Sequence, residues 1–221
     1  MTGEERLGFL LVAASYLAGS IPFGLLLGRL FAGVDVRATG SGNIGATNVA
    51  RTAGKGLGVL TLLLDAAKGG VPVAATALAL GEAHDGAWPA AAGLAAFLGH
   101  VFPVWLRLRG GKGVATAFGA FVVLAPGLTL LAAATFAIAF ASTRVVSVSS
   151  MAAALVLAGG AAYAHGKYAP VTRVALVVLA VIVVRHRSNI RRMLRGEESR
   201  LASGARRPRR SASRSSRPPD G

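Results

Sequence analysis

The chain has 221 residues, of which 53% are hydrophobic and 15% charged, with a mean hydropathy of +0.58 and a net charge of +15. Soluble domains carry about 25% charged residues, so this composition excludes an ordinary soluble globule and reads as a membrane protein. Cysteine is absent, which excludes disulfides, thiolate metal sites and a cysteine nucleophile; the four histidines form no HExxH pair and stand near no carboxylate cluster, so no metal is expected.

The first apolar segment, about Leu7–Phe31, exceeds the ~20 helical residues that a bilayer core requires. Glu4 and Glu5 precede it where a signal peptide would be positive, and apolarity continues past any cleavage site. A retained helix is expected, kinked at Pro22. The polar stretch GSGNIGATNVAR follows, from Gly40 to Arg51. Its glycines let the backbone approach a ligand. Ser41, Asn43, Thr47 and Asn48 add short donors, and Arg51 adds a permanent forked cation. Such a run suits phosphate; taken alone, it reads first as a linker of turn residues.

The second apolar segment is about Gly56–Leu80 and contains Asp65 and Lys68, one helical turn apart and able to pair. Ionisable groups inside a membrane are costly and mark a bundle interior or an aqueous cavity. The third segment, about Ala87–Leu106, carries His100 near its end and runs into RLRGGKG, Arg107 to Gly113. The fourth, Val114–Leu124, and fifth, Leu128–Ala141, are short for full spans. The sixth is about Val148–Ala164 and the seventh Val171–Val184. RHRSNIRRMLRGEE then reads as an amphipathic interfacial helix, and residues 199–221 as a basic disordered tail.

The expected fold is therefore an all-α integral membrane domain of seven helices over residues 1–198. The connections after spans one, three, five and seven are basic, which puts the N-terminus outside and the C-terminus in the cytoplasm. That topology brings the Gly40 stretch, RLRGGKG and RHRSN to one face and favours the phosphate reading over the linker. From Arg185 onward there are twelve arginines against Glu197, Glu198 and Asp220. Beside a last membrane helix these indicate anionic lipid. With no aromatic residue after Tyr168, no nucleic-acid partner is expected.

Several motifs are ruled out. Gly40, Gly42 and Gly45 match GxGxxG, with Asp65 twenty residues on, but the dinucleotide fingerprint requires a strand where a membrane helix is expected. Lys112 is followed by Gly113, so RLRGGKG is no Walker A loop. There is no GxSxG, and no histidine has an aspartate five positions later. A transporter or channel for a phosphorylated anion is the competing function, although no internal duplication supports it.

GSIPFGLLLGR (Gly19–Arg29), GSGNIGATNVARTAGKGLG (Gly40–Gly58), LDAAKGGVPV (Leu64–Val73), LGHVFPVWLRLRGGKGVATAFG (Leu98–Gly119) and RHRSNIRRMLRGEE (Arg185–Glu198) together resemble the bacterial PlsY family, acyl-phosphate:glycerol-3-phosphate acyltransferases. The resemblance implies a seven-helix enzyme of the bacterial cytoplasmic membrane, with its active site facing the cytoplasm and no cofactor. It implies acyl phosphate and glycerol 3-phosphate as substrates, and a functional link to the enzyme that makes acyl phosphate. It assigns Lys112, Arg51 and Ser41 to catalysis. Gly42, Asn43, Gly45, Thr47, Asn48, Gly110, Gly111, Gly113, His186 and Asn189 are expected to bind substrate or phosphate; His100, read from its position at the head of the short loop to RLRGGKG, is a further expected contact. Asp65 and Lys68 are supporting residues.

Overall fold

A computed structural model describes residues 1–198; the basic tail expected from the sequence, 199–221, lies outside the described residues. The described chain is all helical. α1 (Gly3–Gly19) starts at a capping box, in which Thr2 accepts from the Glu5 backbone and Glu5 reaches back to the Thr2 N–H. It ends where Pro22 removes a backbone donor and disfavours helix in the residue before it. The kink expected at Pro22 is thus a complete break, and α2 (Phe23–Ala32) resumes beyond it.

The short α3 (Ala46–Thr52) closes the polar stretch, and α4 (Lys55–Leu80) continues through Pro72. α5 (Ala87–Val101) passes through a single 3-10 turn, Val104–Leu106, into the second glycine-rich loop. The later helices are α6 (Val114–Leu124), α7 (Pro126–Thr143), α8 (Val146–His165), α9 (Pro170–Arg185) and α10 (Arg187–Leu194). Counting α1 with α2 as one 30-residue unit, five segments among the described residues are long and apolar enough to cross a membrane. Two of the seven expected spans are shorter: α6 has 11 residues and α9 has 16.

Phe97, Val101, Phe121, Val73 and Val178 join α4, α5, α6 and α9 into one buried core. A smaller cluster, Leu25, Val36, Ile44 and Val49, underlies the first glycine-rich loop. α4 and α6 pack backbone to backbone. A side chain at Gly69 would collide with the Thr116 carbonyl, and one at Gly119 with that of Ala66. Leu10, Leu63, Leu78, Leu130 and Ile138 face outward, while Thr61, Asp65, Lys68, Thr76 and Thr116 are buried. Apolar outside and polar inside is the arrangement that hydrocarbon surroundings favour.

Candidate active site

The first loop is organised by one side chain. Asn48 is 2% exposed, and its Nδ2 donates to the carbonyls of Val36 (2.8 Å), Asn43 (2.8 Å) and Thr39 (3.2 Å). Its Oδ1 accepts the Ser41 N–H at 2.8 Å. Asn43 Oδ1 turns the chain again by accepting the Gly45 N–H at 2.8 Å. Gly40 and Gly42 both adopt positive φ, and a side chain at Gly40 would collide with Asn48 Oδ1. Ser41, Gly42, Thr47 and Arg51 remain exposed. Before the loop, Asp35 receives Arg37 through Nε (3.0 Å) and Nη2 (2.7 Å), and Arg29 through Nη2 (2.7 Å). The Arg37 and Arg29 guanidiniums hold the Asp35 carboxyl well below the usual carboxylate range.

The second loop is organised from outside. The N–H groups of Gly110 and Gly111 donate to the Val101 and His100 carbonyls at the end of α5 (3.1 and 3.2 Å). Their own carbonyls accept Arg185 from the end of α9, Gly110 at 2.6 Å and Gly111 at 3.1 Å. Arg185 also lies over the Phe102 ring, 5.9 Å from its centroid. Gly113, at φ 79, caps α6 without a side-chain partner. Among the described residues, the backbone N–H groups from Lys112 to Thr116 have no protein acceptor. A side chain would not fit at Gly110, Gly111 or Gly113, which pack on the His100 carbonyl, the His100 ring and the Phe97 ring. Arg107 and Leu108 both sit in the left-handed region (φ 51 and 63), which costs a non-glycine residue roughly 1–3 kcal/mol.

A polar cluster closes over Lys112. Its Nζ donates to Asn189 Oδ1 at 2.6 Å, and Asn189 Nδ2 donates to Glu198 Oε1 at 2.5 Å. Glu198 also receives Ser147 Oγ and Arg192 Nε, each at 2.8 Å. Burial alone would raise the Glu198 carboxyl; the bonds from Asn189, Ser147 and Arg192 outweigh it and hold it low. Burial pushes Lys112 down to about 8, against the pull of the Glu198 charge. Burial, reinforced by the Lys112 charge, takes His186 to about 4, so this ring is neutral at neutral pH. Its Nδ1 lies 2.8 Å from the Ile182 carbonyl. A carbonyl can only accept, so Nδ1 carries the proton and Nε2 is the lone-pair nitrogen.

Beneath the second loop lies a buried charge cluster. Lys68 Nζ is 2.8 Å from Asp65 Oδ1 and donates to the Ile21 carbonyl at the α1–α2 break (2.7 Å). Asp65 Oδ1 lies off the hydrogen-bonding direction of that ammonium and is 3.7 Å from His100 Nδ1. The cluster thus runs from the broken first span to the ring on which Gly111 rests.

The sequence profile of the glycerol-3-phosphate acyltransferases matches residues 9–196. A glycerol-3-phosphate acyltransferase of Anaeromyxobacter sp. (strain Fw109-5) is 55% identical over 199 residues, covering 90% of this chain and 98% of its own length. One of Myxococcus xanthus is 49% identical, covering 86% and 98%. The crystal structure of PlsY, an integral membrane glycerol 3-phosphate acyltransferase, in its glycerol 3-phosphate form superposes with a TM-score of 0.82 at 39% identity, over 88% of this chain and 96% of that one. Its lysophosphatidic acid form gives a TM-score of 0.80. The chain belongs to the PlsY family of glycerol-3-phosphate acyltransferases.

In this PlsY-family chain the structure brings the two loops together across a cleft of about 620 Å³, with Gly42 on one wall and Gly110 on the other. It joins Lys112 directly to Asn189, with His186 at the junction of α9 and α10. Arg51 stands exposed on the last turn of α3 with no bonded partner among the described residues, and Asp65, Lys68 and His100 lie buried below. Asn48, Gly110 and Gly111 hold the loops in shape through the bonds described above. Sequence reasoning passed over Arg185, Ser147 and Glu198. Glu198 did carry a signal, as one of two acids closing a run of arginines.

Proposed function

We propose that the protein transfers a fatty acyl group from acyl phosphate to the 1-hydroxyl of glycerol 3-phosphate, giving lysophosphatidic acid and phosphate in the first acylation of bacterial phospholipid synthesis. The observation that carries this reading is the run of N–H groups from Lys112 to Thr116, unpaired among the described residues at the start of α6, together with the Lys112 ammonium held by Asn189. Acyl phosphate is a mixed anhydride, already activated. The substrate hydroxyl oxygen attacks its carbonyl carbon, the bond from that carbon to the bridging oxygen breaks, and phosphate leaves with that oxygen and the electron pair. Lys112 and these N–H groups stabilise the charge that develops on the leaving group. Ser41 and Arg51 hold the second phosphate, and proximity of two bound substrates supplies much of the remaining rate.

His186, taken to about 4 by burial, is too weak a base to remove the hydroxyl proton at neutral pH. Its Nε2 accepts a hydrogen bond from the hydroxyl and aims it, and an oxygen of a substrate phosphate takes the proton. Asn189 fixes the direction of the Lys112 ammonium. We further infer seven crossings, counting α6 and α9, with the N-terminus outside and the site facing the cytoplasm of a bacterial cell membrane. The basic connections support this orientation, and so do the meeting of the two glycine-rich loops across the cleft and the bond from Lys112 to Asn189 of α10. Such a site depends on an enzyme that makes acyl phosphate.

The test is one assay of purified protein with glycerol 3-phosphate and either acyl phosphate or acyl-coenzyme A. Product is expected with acyl phosphate alone. Equal rates from the thioester would remove the donor assignment.

A further inference from the structure

The cleft between the loops is lined by three guanidiniums, Arg37, Arg107 and Arg109, against one carboxylate, Asp35. Asp35 is committed to Arg37 and Arg29. Arg107 and Arg109 are exposed and have no carboxylate or hydrogen-bond acceptor for their side chains among the described residues. The cleft is apolar as well, through Ile44, Trp105 and Leu106. Its rim continues into outward-facing Val104, Trp105 and Leu108, with Trp105 63% exposed. Gly42 and Gly110 lie in its walls, whereas Lys112, His186 and Asn189 lie outside its lining.

This wall is built, not loose. Leu106, Arg107, Leu108 and Arg109 each donate a backbone N–H to a carbonyl within the same turn, at 2.9 to 3.3 Å. These bonds hold two consecutive non-glycine residues, Arg107 and Leu108, in left-handed conformation. A strained backbone maintained by its own hydrogen bonds is a feature of ligand clamps, and here it sets Arg107 and Arg109 on the cleft wall, on either side of outward-facing Leu108. Cations beside an indole and aliphatic side chains suit an amphiphile whose charged head meets the guanidiniums while its chain stays in hydrocarbon.

We propose that this cleft is a second anion site, separate from the Lys112 pocket, that takes the phosphate monoester head of a membrane amphiphile. The amphiphile is either a single-chain alkyl phosphate monoester or a two-chain phosphatidate lipid.

The protein contains two tryptophans, so Trp88→Phe leaves Trp105 as the reporter in the cleft. In neutral vesicles, dodecyl phosphate is expected to shift its emission saturably. Arg107→Gln with Arg109→Gln should raise the midpoint about 30-fold, whereas lysine at both positions should largely restore it. Lys112→Ala should leave the midpoint within about twofold, because that residue lies outside the lining. Vesicles carrying phosphatidic acid separate the sources: competition with dodecyl phosphate assigns a general phosphate-monoester lipid, and its absence assigns the single-chain form. The proposal is overturned if the glutamine pair leaves the midpoint unchanged, if Lys112→Ala abolishes the response, or if inorganic phosphate competes equally well. Acyl transfer measured on the same samples keeps the two readings apart. A wild-type protein inactive with acyl phosphate would remove the proposed function and leave the emission result to decide the cleft.

Discussion

The two glycine-rich loops look alike as sequence and are built in opposite ways. The first is held from within: Asn48 bonds three carbonyls and one N–H of the loop and its approach, and those partners lie within twelve residues of it. The second is held from without, by the end of α5 on its N–H side and by Arg185 on its carbonyl side. The difference decides where free donors remain. Gly110 and Gly111 have theirs engaged, so the anion-seeking N–H groups begin at Lys112 and belong to the first turn of α6. A glycine run therefore marks where backbone can come close; the neighbouring elements determine which of its groups still face a ligand.

The largest expected break in this contrast is Lys112→Ala. It removes the cation beside the free N–H groups and should lower kcat/KM by about 10²–10³-fold, with helical circular dichroism unchanged. Next comes Asn48→Ala, which leaves buried groups of the first loop unpaired at about 1–3 kcal/mol each. Hydrogen exchange should quicken across residues 36–48 and stay slow at the second loop; equal loosening of both would end the distinction. Arg185→Gln should raise KM for the phosphate substrate about tenfold, a loss of about 1.4 kcal/mol, with a smaller change in kcat. Lysine there should rescue poorly, since a point charge cannot fork onto two carbonyls. A fall in kcat alone would show that Arg185 does not position the loop for binding.

The smallest effect is on pH dependence. Burial places Lys112 at about 8, so its cation is lost as pH rises through that value. In the free enzyme kcat/KM should fall to about half its pH 7 value near pH 8, in a limb that Lys112→Ala removes. His186, at about 4, should contribute no limb between pH 6 and 7.

Much of this was legible in the sequence. The seven apolar segments correspond to helices within a few residues, because hydrophobic length and glycine or proline punctuation act locally. Pro22 announced a disturbance, but a kink and a break differ in what packs against them. Here Lys68 donates to the Ile21 carbonyl at the gap. The pairing of Asp65 with Lys68 was readable from their spacing. The bond from Lys112 to Asn189 was not, since it spans 77 positions and depends on how α9 returns to the second loop. For Glu198 only one contact was hidden for the same reason: Asn189 and Arg192 lie nearby across the turn at the end of α10, but Ser147 comes from α8. Such residues become visible only when helices far apart in the chain are placed side by side.

The ion pair in α4 has a consequence for biosynthesis. Asp65 and Lys68 are three residues apart on one helix and can meet as soon as that helix forms. A lone acid or base at the middle of an inserting segment costs about 2.5–3.5 kcal/mol. Divided between two helices, each charge would cross the insertion machinery bare and wait for its counterpart. Here the segment enters the bilayer with its counter-ion already in place, and the bond to Ile21, already synthesised, forms afterwards as a docking step.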